Sequence, residues 1–404
     1  MELFSDPMRR DPYPLYAELC ASSPLLHVPQ WDCWLVFDYD GVKRVLSDHD
    51  TFTSCVPGPA NWFIFFDPPR HTRLRALVSK AFTPRTVANL ELRIRALSRQ
   101  LLDEALQNGE TDIASQFSTP LPMMVIAEML GIPLADVPRY KRWSDGILKL
   151  SYCLFRDDET MQAVAEFSAV TAEIQACLPQ LLAERRASPR DDLLWHLAEA
   201  EVEGERLTED EILGFFQLLL VGGQETTTNL INNALICLLD APDQLQRLRQ
   251  SPELLASAIE EVLRYRAPLQ WMMRAPNRDV ELHGQTIPAG KLVLAVIGSA
   301  NRDPRHFADP QRFDISRDPN PHIAFGHGIH SCLGAALARL EARVALSEFF
   351  DRVQDFAPAS AEPWLPRQAL HVHGPAKLPL RFTRAAIAGR PQQPPAHKAR
   401  HPNS

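Results

Sequence analysis

Residues 325–334 read "FGHGIHSCLG", one cysteine among three glycines and two histidines, and the apolar-periodic run "AALARLEARVALSEFF" follows at once. Cys332 stands just ahead of the helix which that run predicts. There the positive end of the helix dipole and free backbone N–H groups favour a thiolate. A thiolate so placed suits a metal ligand or a nucleophile. Gly326, Gly328 and Gly334 strip bulk from around it, as a backbone lying against a large flat group requires.

Outward from this loop, the chain reads as one large, mainly helical domain. Its 404 residues are 45% hydrophobic, enough for a sizeable core, and no linker divides them. The runs "TVANLELRIRALSRQLLDEAL", "TMQAVAEFSAVTAEIQACLPQLLAERR", "TEDEILGFFQLLLVGGQETTTNLINNALICLLD" and "SPELLASAIEEVLRYR" space apolar residues at helical intervals. Short strands are predicted at "CWLVFD", "DVELHG", "KLVLAVIG" and "QALHVHG", with "TIPAG" as a turn. The 34 prolines stiffen connections such as "RDPRHFADPQRF". From residue 385 onward, proline, glutamine and basic residues without periodicity predict a disordered tail, leaving 1–384 as the domain.

A formal net charge of -8 gives no reason to expect nucleic acid or an anionic membrane as partner. The N-terminus shows neither a signal core nor a spanning segment, so a soluble cytoplasmic monomer is expected. Seven scattered cysteines without a CxxC pair suit a reducing compartment.

The quoted loop matches, at every defined position, the Phe-Gly-x-Gly-x-His/Arg-x-Cys-x-Gly signature of the cytochrome P-450 family. The chain resembles that family from about residue 10 to residue 384. The resemblance implies the triangular, mainly α fold with small β-sheets, holding haem b between a long distal helix and the proximal cysteine loop. It makes Cys332 the thiolate ligand of the iron, with Phe325 and Gly334 beside the cofactor. Amides just after Cys332 would hydrogen-bond to its sulfur.

Other segments carry the resemblance further. Glu261 and Arg264, three apart in "SAIEEVLRYR", would alone be a solvated ion pair. The family's Glu-x-x-Arg reading joins them to Arg312 of "PQRF" in a buried structural network. His71 and Arg75, four apart in "RHTRLR", share a helix face. With Arg274 and His330 they are the implied partners of the haem propionates. His327 fills an unconstrained signature position and receives no role.

In "LLLVGGQETTTNL" a Gly-Gly pair and three threonines interrupt an apolar run, which predicts a bent, widened helical turn. Glu225 and Thr226 fit the acid–alcohol pair that supplies protons for dioxygen cleavage in the family. Gly222 stands where an alanine is usual, widening the groove over the haem. By the same resemblance Trp62, Phe63, Phe65, Leu219, Gly222, Leu269, Trp271 and Met272 line an apolar substrate pocket. No flavin or iron–sulfur motif is present, so electrons from NAD(P)H would arrive through a ferredoxin or flavodoxin docked near Arg73, Lys80 and Arg339. The expected activity is hydroxylation or epoxidation of an apolar small molecule of terpenoid, steroid, polyketide or fatty-acid type. A peroxide-driven peroxygenase and a haem-free recruitment domain are the rival readings, disfavoured by the intact acid–alcohol pair and the intact cysteine loop.

Overall fold

The computed structural model describes residues 5–56, 61–80, 82–152, 157–190, 192–202 and 204–385. Of the tail expected at residues 385–404, all but the first residue lies outside the described residues, as does Cys153.

A five-stranded sheet forms one side of the molecule. It contains β1 (Leu25–Val28), β2 (Cys33–Val36), β3 (Phe52–Thr53), β5 (Met272–Pro276) and β6 (Leu292–Ala295), while β4 (Glu110–Asp112) belongs to a second sheet. The strand order is β1-β2-β6-β5-β3, with β2 and β6 parallel and the other pairs antiparallel. The second sheet has the order β7-β8-β4, with β7 at Val353–Pro358 and β8 at Pro379–Arg384. Three predicted strands appear, within "CWLVFD", "DVELHG" and "KLVLAVIG". "QALHVHG" does not form one. Its backbone is used piecemeal: His371 O accepts from Gln270 N–H, His373 N–H donates to Pro268 O, and Val372 makes an isolated bridge to Leu269.

Helices make up the rest. Those that frame the site are α1 (Tyr39–Ser47), α2 (Arg70–Ser79), α3 (Glu91–Ala105), α4 (Asp157–Ala187), α5 (Glu209–Gly222), α6 (Glu225–Asp240), α7 (Leu255–Tyr265) and α8 (Ala335–Arg352). The predicted long helix at 208–240 is two helices, α5 and α6, parted at Gly223–Gln224. A capping box starts α5: Thr208 Oγ1 accepts from Glu211 N–H, and Glu211 Oε2 accepts from Thr208 N–H. Nearly every residue of α6 is buried, so this helix runs through the core rather than over it. Around it pack α7 and α8, and α8 in turn lies against α3. The cysteine loop enters α8 at the base of this bundle, and the strand pair β5–β6 closes the side.

Candidate haem and oxygen-activation site

The cysteine loop is folded by its own backbone. Cys332 N–H donates to Phe325 O at 2.8 Å, and Ile323 N–H to Asn301 Oδ1 at 2.8 Å, fastening the loop to the core. Gly326 and Gly328 have φ of 73° and 76°, a region costly for any residue with a Cβ. Gly328 also meets α1, where a Cβ would come within 2.9 Å of Ser47 Cα. Gly334 has an ordinary φ, and its N–H points at Cys332 Sγ. Burial among the loop atoms pushes the Cys332 thiol up, against the pull of that N–H and of the Arg75 and Arg339 charges. Its residue surface nevertheless remains open to solvent.

Beside the loop sits a group of buried bases. The His71 and His330 rings lie 4.0 Å apart, and all four of their nitrogens lack a hydrogen-bond partner. Burial, reinforced by Arg75 and Arg274, pushes His71 down to about 4 and His330 to about 3. Arg274, only 3% exposed, is pushed down to about 10 by burial and donates to Met273 O. Arg75 donates to Ser331 O at 2.7 Å. The nearby carboxylate is Asp67, which is already held by Thr53 Oγ1 and Ser54 N–H. Four bases gathered this way, with orphaned ring nitrogens, suit a ligand that brings its own carboxylates. Among the described residues no three His, Cys, Asp or Glu side chains form a metal-binding group. A single thiol therefore fits a metal whose remaining ligands come with the cofactor, as in haem.

The predicted bend is a full break. Thr226 Oγ1 donates to Gly222 O at 2.9 Å, back-bonding across it. Gln224 Oε1 accepts from Ser144 Oγ at 2.6 Å, tying the break to the helix at Val137–Tyr152. Gly222 is exposed, and a Cβ there would meet only Leu218 Cδ1, at 3.9 Å. Glu225 is buried, with Oε1 3.5 Å from Nη1 of Arg367, a residue no sequence motif singles out.

The expected pocket residues divide. Trp62, Phe65, Leu219, Leu269 and Met272 are partly buried hydrophobics, although Phe65 is placed by its stacking on Trp62 rather than by core contact.

Leu269 is joined to Val372 by the isolated bridge, and Met272 shares a β5 face with Arg274. Phe63 is core: its ring stacks between Phe215 and His71. Trp271 must be withdrawn from the pocket. Strand alternation turns it to the opposite sheet face, where it packs with Cys33 and Leu294 in a separate cluster.

The charged network differs in one member. Glu261 and Arg264 are fully buried and paired through two hydrogen bonds, of 2.7 and 2.8 Å. The second arginine on Glu261 is Arg317, whose Nε lies 3.1 Å from Oε2, not Arg312. A turn from Asp309 O to Arg312 N–H presents the Arg312 carbonyl to Arg264 Nη2 and leaves its side chain exposed. The expected docking cations are engaged within the chain. Arg73 pairs with Glu211 and Glu205, Lys80 with Glu201 O, and Arg339 with Glu260 through two hydrogen bonds.

Residues 26–357 match the family model described as Cytochrome P-450. The chain is 42% identical over 387 residues to Cytochrome P-450 109 of Bacillus spizizenii, covering 95% of this chain and 94% of that protein. It is 40% identical over 401 residues to the Cytochrome P-450 monooxygenase PikC of Streptomyces venezuelae, covering 94% and 93%. Among solved structures, CYP109E1 from Bacillus megaterium in complex with testosterone superposes with a TM-score of 0.88 at 39% identity, covering 93% of this chain and 99% of that one. A matching family model, relatives alike over nearly their whole length and a shared fold agree with the cysteine loop, and the chain belongs to the cytochrome P-450 family of haem monooxygenases.

Proposed function

We propose that this monooxygenase hydroxylates or epoxidises an apolar small molecule of steroid, terpenoid, polyketide or fatty-acid type, using NAD(P)H electrons passed on by a ferredoxin or flavodoxin. The observation that carries the reading is the group of bases beside an accessible cysteine, His71 and His330 with orphaned ring nitrogens and Arg75 and Arg274 next to them, around the loop that presents Cys332. Haem fits these residues. When bound, it supplies the reductive activation of dioxygen, with one oxygen atom passing to substrate and the other leaving as water at the expense of two electrons and two protons.

Cys332 would be the thiolate that ligates the haem iron. The Gly334 N–H withdraws charge from its sulfur, and the loop's Phe325–Cys332 hydrogen bond fixes the sulfur's direction. The four bases would hold the two propionates. Glu225 would bring protons from the interior and Thr226 would relay them. Thr226 Oγ1 donates its hydrogen to Gly222 O, so its oxygen would accept the incoming proton and release the outgoing one by giving up that bond.

Support for the substrate class comes from the apolar side chains of Trp62, Phe65, Leu219 and Met272 and from the space beside Gly222. It also comes from the testosterone bound in CYP109E1 and from a 36% identical relative named Vitamin D(3) 25-hydroxylase. The deciding experiment is the carbon monoxide difference spectrum of the reduced protein. A thiolate-ligated haem gives a red-shifted Soret band, and Cys332→Ser abolishes it. A spectrum without that band in the unsubstituted protein sinks the reading. Titration with testosterone should then shift the haem towards high spin; no shift across steroids, macrolides and fatty acids would remove the substrate assignment.

A further inference from the structure

Arg367 lies in "WLPRQAL", outside every motif discussed above, yet it reaches the break between α5 and α6. Its Nη1 is 3.5 Å from Glu225 Oε1, and its Nε donates to Asn229 Oδ1 at 3.1 Å. Glu225 and Asn229 are one turn apart on α6, so a single guanidinium spans both. The backbone of Arg367 is fixed as well, its N–H donating to Gly374 O at 3.2 Å. Gly374 is shaped for this arrangement, because a Cβ there would come within 2.4 Å of Asn229 Oδ1. The side chains of Arg367 and Glu225 are 20% and 3% exposed.

Burying a carboxylate is costly unless a cation accompanies it, and Arg367 supplies one here. The contact is not a locked fork. At 3.5 Å it exceeds the roughly 2.7–2.9 Å of a charge-assisted hydrogen bond, while the Nε bond to Asn229 holds the guanidinium in place independently. Attraction thus keeps the carboxylate at the start of α6.

We propose that Arg367 is the positioning residue for proton delivery, holding Glu225 at the helix break beside Thr226. The inference rests on the Glu225–Thr226 reading given above. Without substrate, dioxygen leaves either as peroxide, after two electrons and two protons, or as two waters, after four of each. A misplaced proton donor shifts this partition towards peroxide.

The test uses the haem-loaded full chain reduced through spinach ferredoxin and its reductase, comparing Arg367→Gln, Arg367→Lys, Glu225→Gln and the Arg367→Gln/Glu225→Gln double variant. Peroxide formed per dioxygen consumed and the solvent deuterium isotope effect are measured, with hydrogen exchange of residues 222–229 as a readout independent of turnover. Arg367→Gln should raise the peroxide-to-water ratio about tenfold, part of what a general acid supplies, and should speed exchange in that segment. Arg367→Lys, which keeps the charge, should recover part of the loss, and the double variant should be no worse than Glu225→Gln alone. If Arg367→Gln does not fold, Arg367→Lys carries the test, because losing the fork should still move the ratio. Wild-type partition and isotope effect in the Arg367 variants, with Glu225→Gln altered, overturn the positioning role alone. A Glu225→Gln variant that also behaves as wild type overturns the proton-delivery reading with it.

Discussion

Two glycines near the cofactor site carry opposite demands. Gly328 has φ of 76°, and an added Cβ would press on Ser47 Cα at 2.9 Å, backbone that cannot step aside cheaply. Gly328→Ala should therefore cost about 1–3 kcal/mol and lower the haem content of the purified protein, as read from the Soret-to-280 nm absorbance ratio and thermal melting. Gly222→Ala should leave the melting point unchanged or raised, since its Cβ meets only Leu218 Cδ1 at 3.9 Å and alanine is the better helix former. The cysteine loop was legible from its own residues because its glycines and thiol are adjacent in the chain. What presses on Gly328 was not, since Leu46 and Ser47 lie about 280 residues away in sequence and only the tertiary fold brings them there. Arg367 was hidden for the same reason. Its partners Glu225 and Asn229 sit on a helix with no sequence link to "WLPRQAL".

At the scale of elements, α7 is joined to the long loop before Cys332 by one buried carboxylate. Glu261 accepts from Arg264, Arg317, Asn320 Nδ2 and Asp314 N–H. Arg264 also donates to the carbonyls of Asn301, Pro310 and Arg312. Arg264→Ala leaves a buried charge short of a partner and the Asn301 and Pro310 carbonyls without this donor, while Arg312 O keeps Arg317, a loss of about 3–5 kcal/mol. The variant should purify without haem. Arg317→Ala should be milder, because Arg264 remains, and Arg312→Ala should melt within about 0.5 kcal/mol of the parent, as exposed substitutions do. Equal damage from Arg312→Ala and Arg317→Ala would contradict the observed network. The Glu-x-x-Arg spacing was readable because both residues lie on one helix. Which later arginine completes the set depends on how an irregular loop turns, and no periodicity encodes that. The break between α5 and α6 was foreshadowed by Gly222 and Gly223, but propensity alone allowed a bend as readily as two helices.

For the whole molecule, buried ionisable groups outside the cofactor site set how stability varies with pH. His373 is 2% exposed, with Nε2 on Arg10 O, and burial pushes it down to about 3; burial likewise takes His371 to about 4. The unfolded chain binds protons at both near pH 6.5, so their contribution to stability is lost as pH falls from 6.5 towards 4. Glu341 in α8 is 1% exposed and is pushed up by burial to about 8. Its unfolded counterpart ionises near 4.3, so the native state holds the extra proton between those values and stability falls as pH rises through them. Each group acts with a slope of about 1.4 kcal/mol per pH unit. Two histidines outweigh one glutamate below pH 6.5, and the glutamate acts alone above it, which places maximal stability near pH 6.5. The acid limb steepens again near pH 4, where paired carboxylates such as Glu260, drawn down to about 2 by Arg339 and His322 despite burial, begin to be protonated in the unfolded chain. Urea denaturation of the haem-loaded protein from pH 5 to 8.5 should trace this maximum. Glu341→Gln should flatten the alkaline limb while leaving the acid limb in place, and His373→Gln, which can keep a donor on Arg10 O, should make the acid limb shallower by about one proton. An alkaline limb of unchanged slope in Glu341→Gln would show that this carboxyl is ionised in the folded protein and that the core around α8 is wetter than its packing indicates.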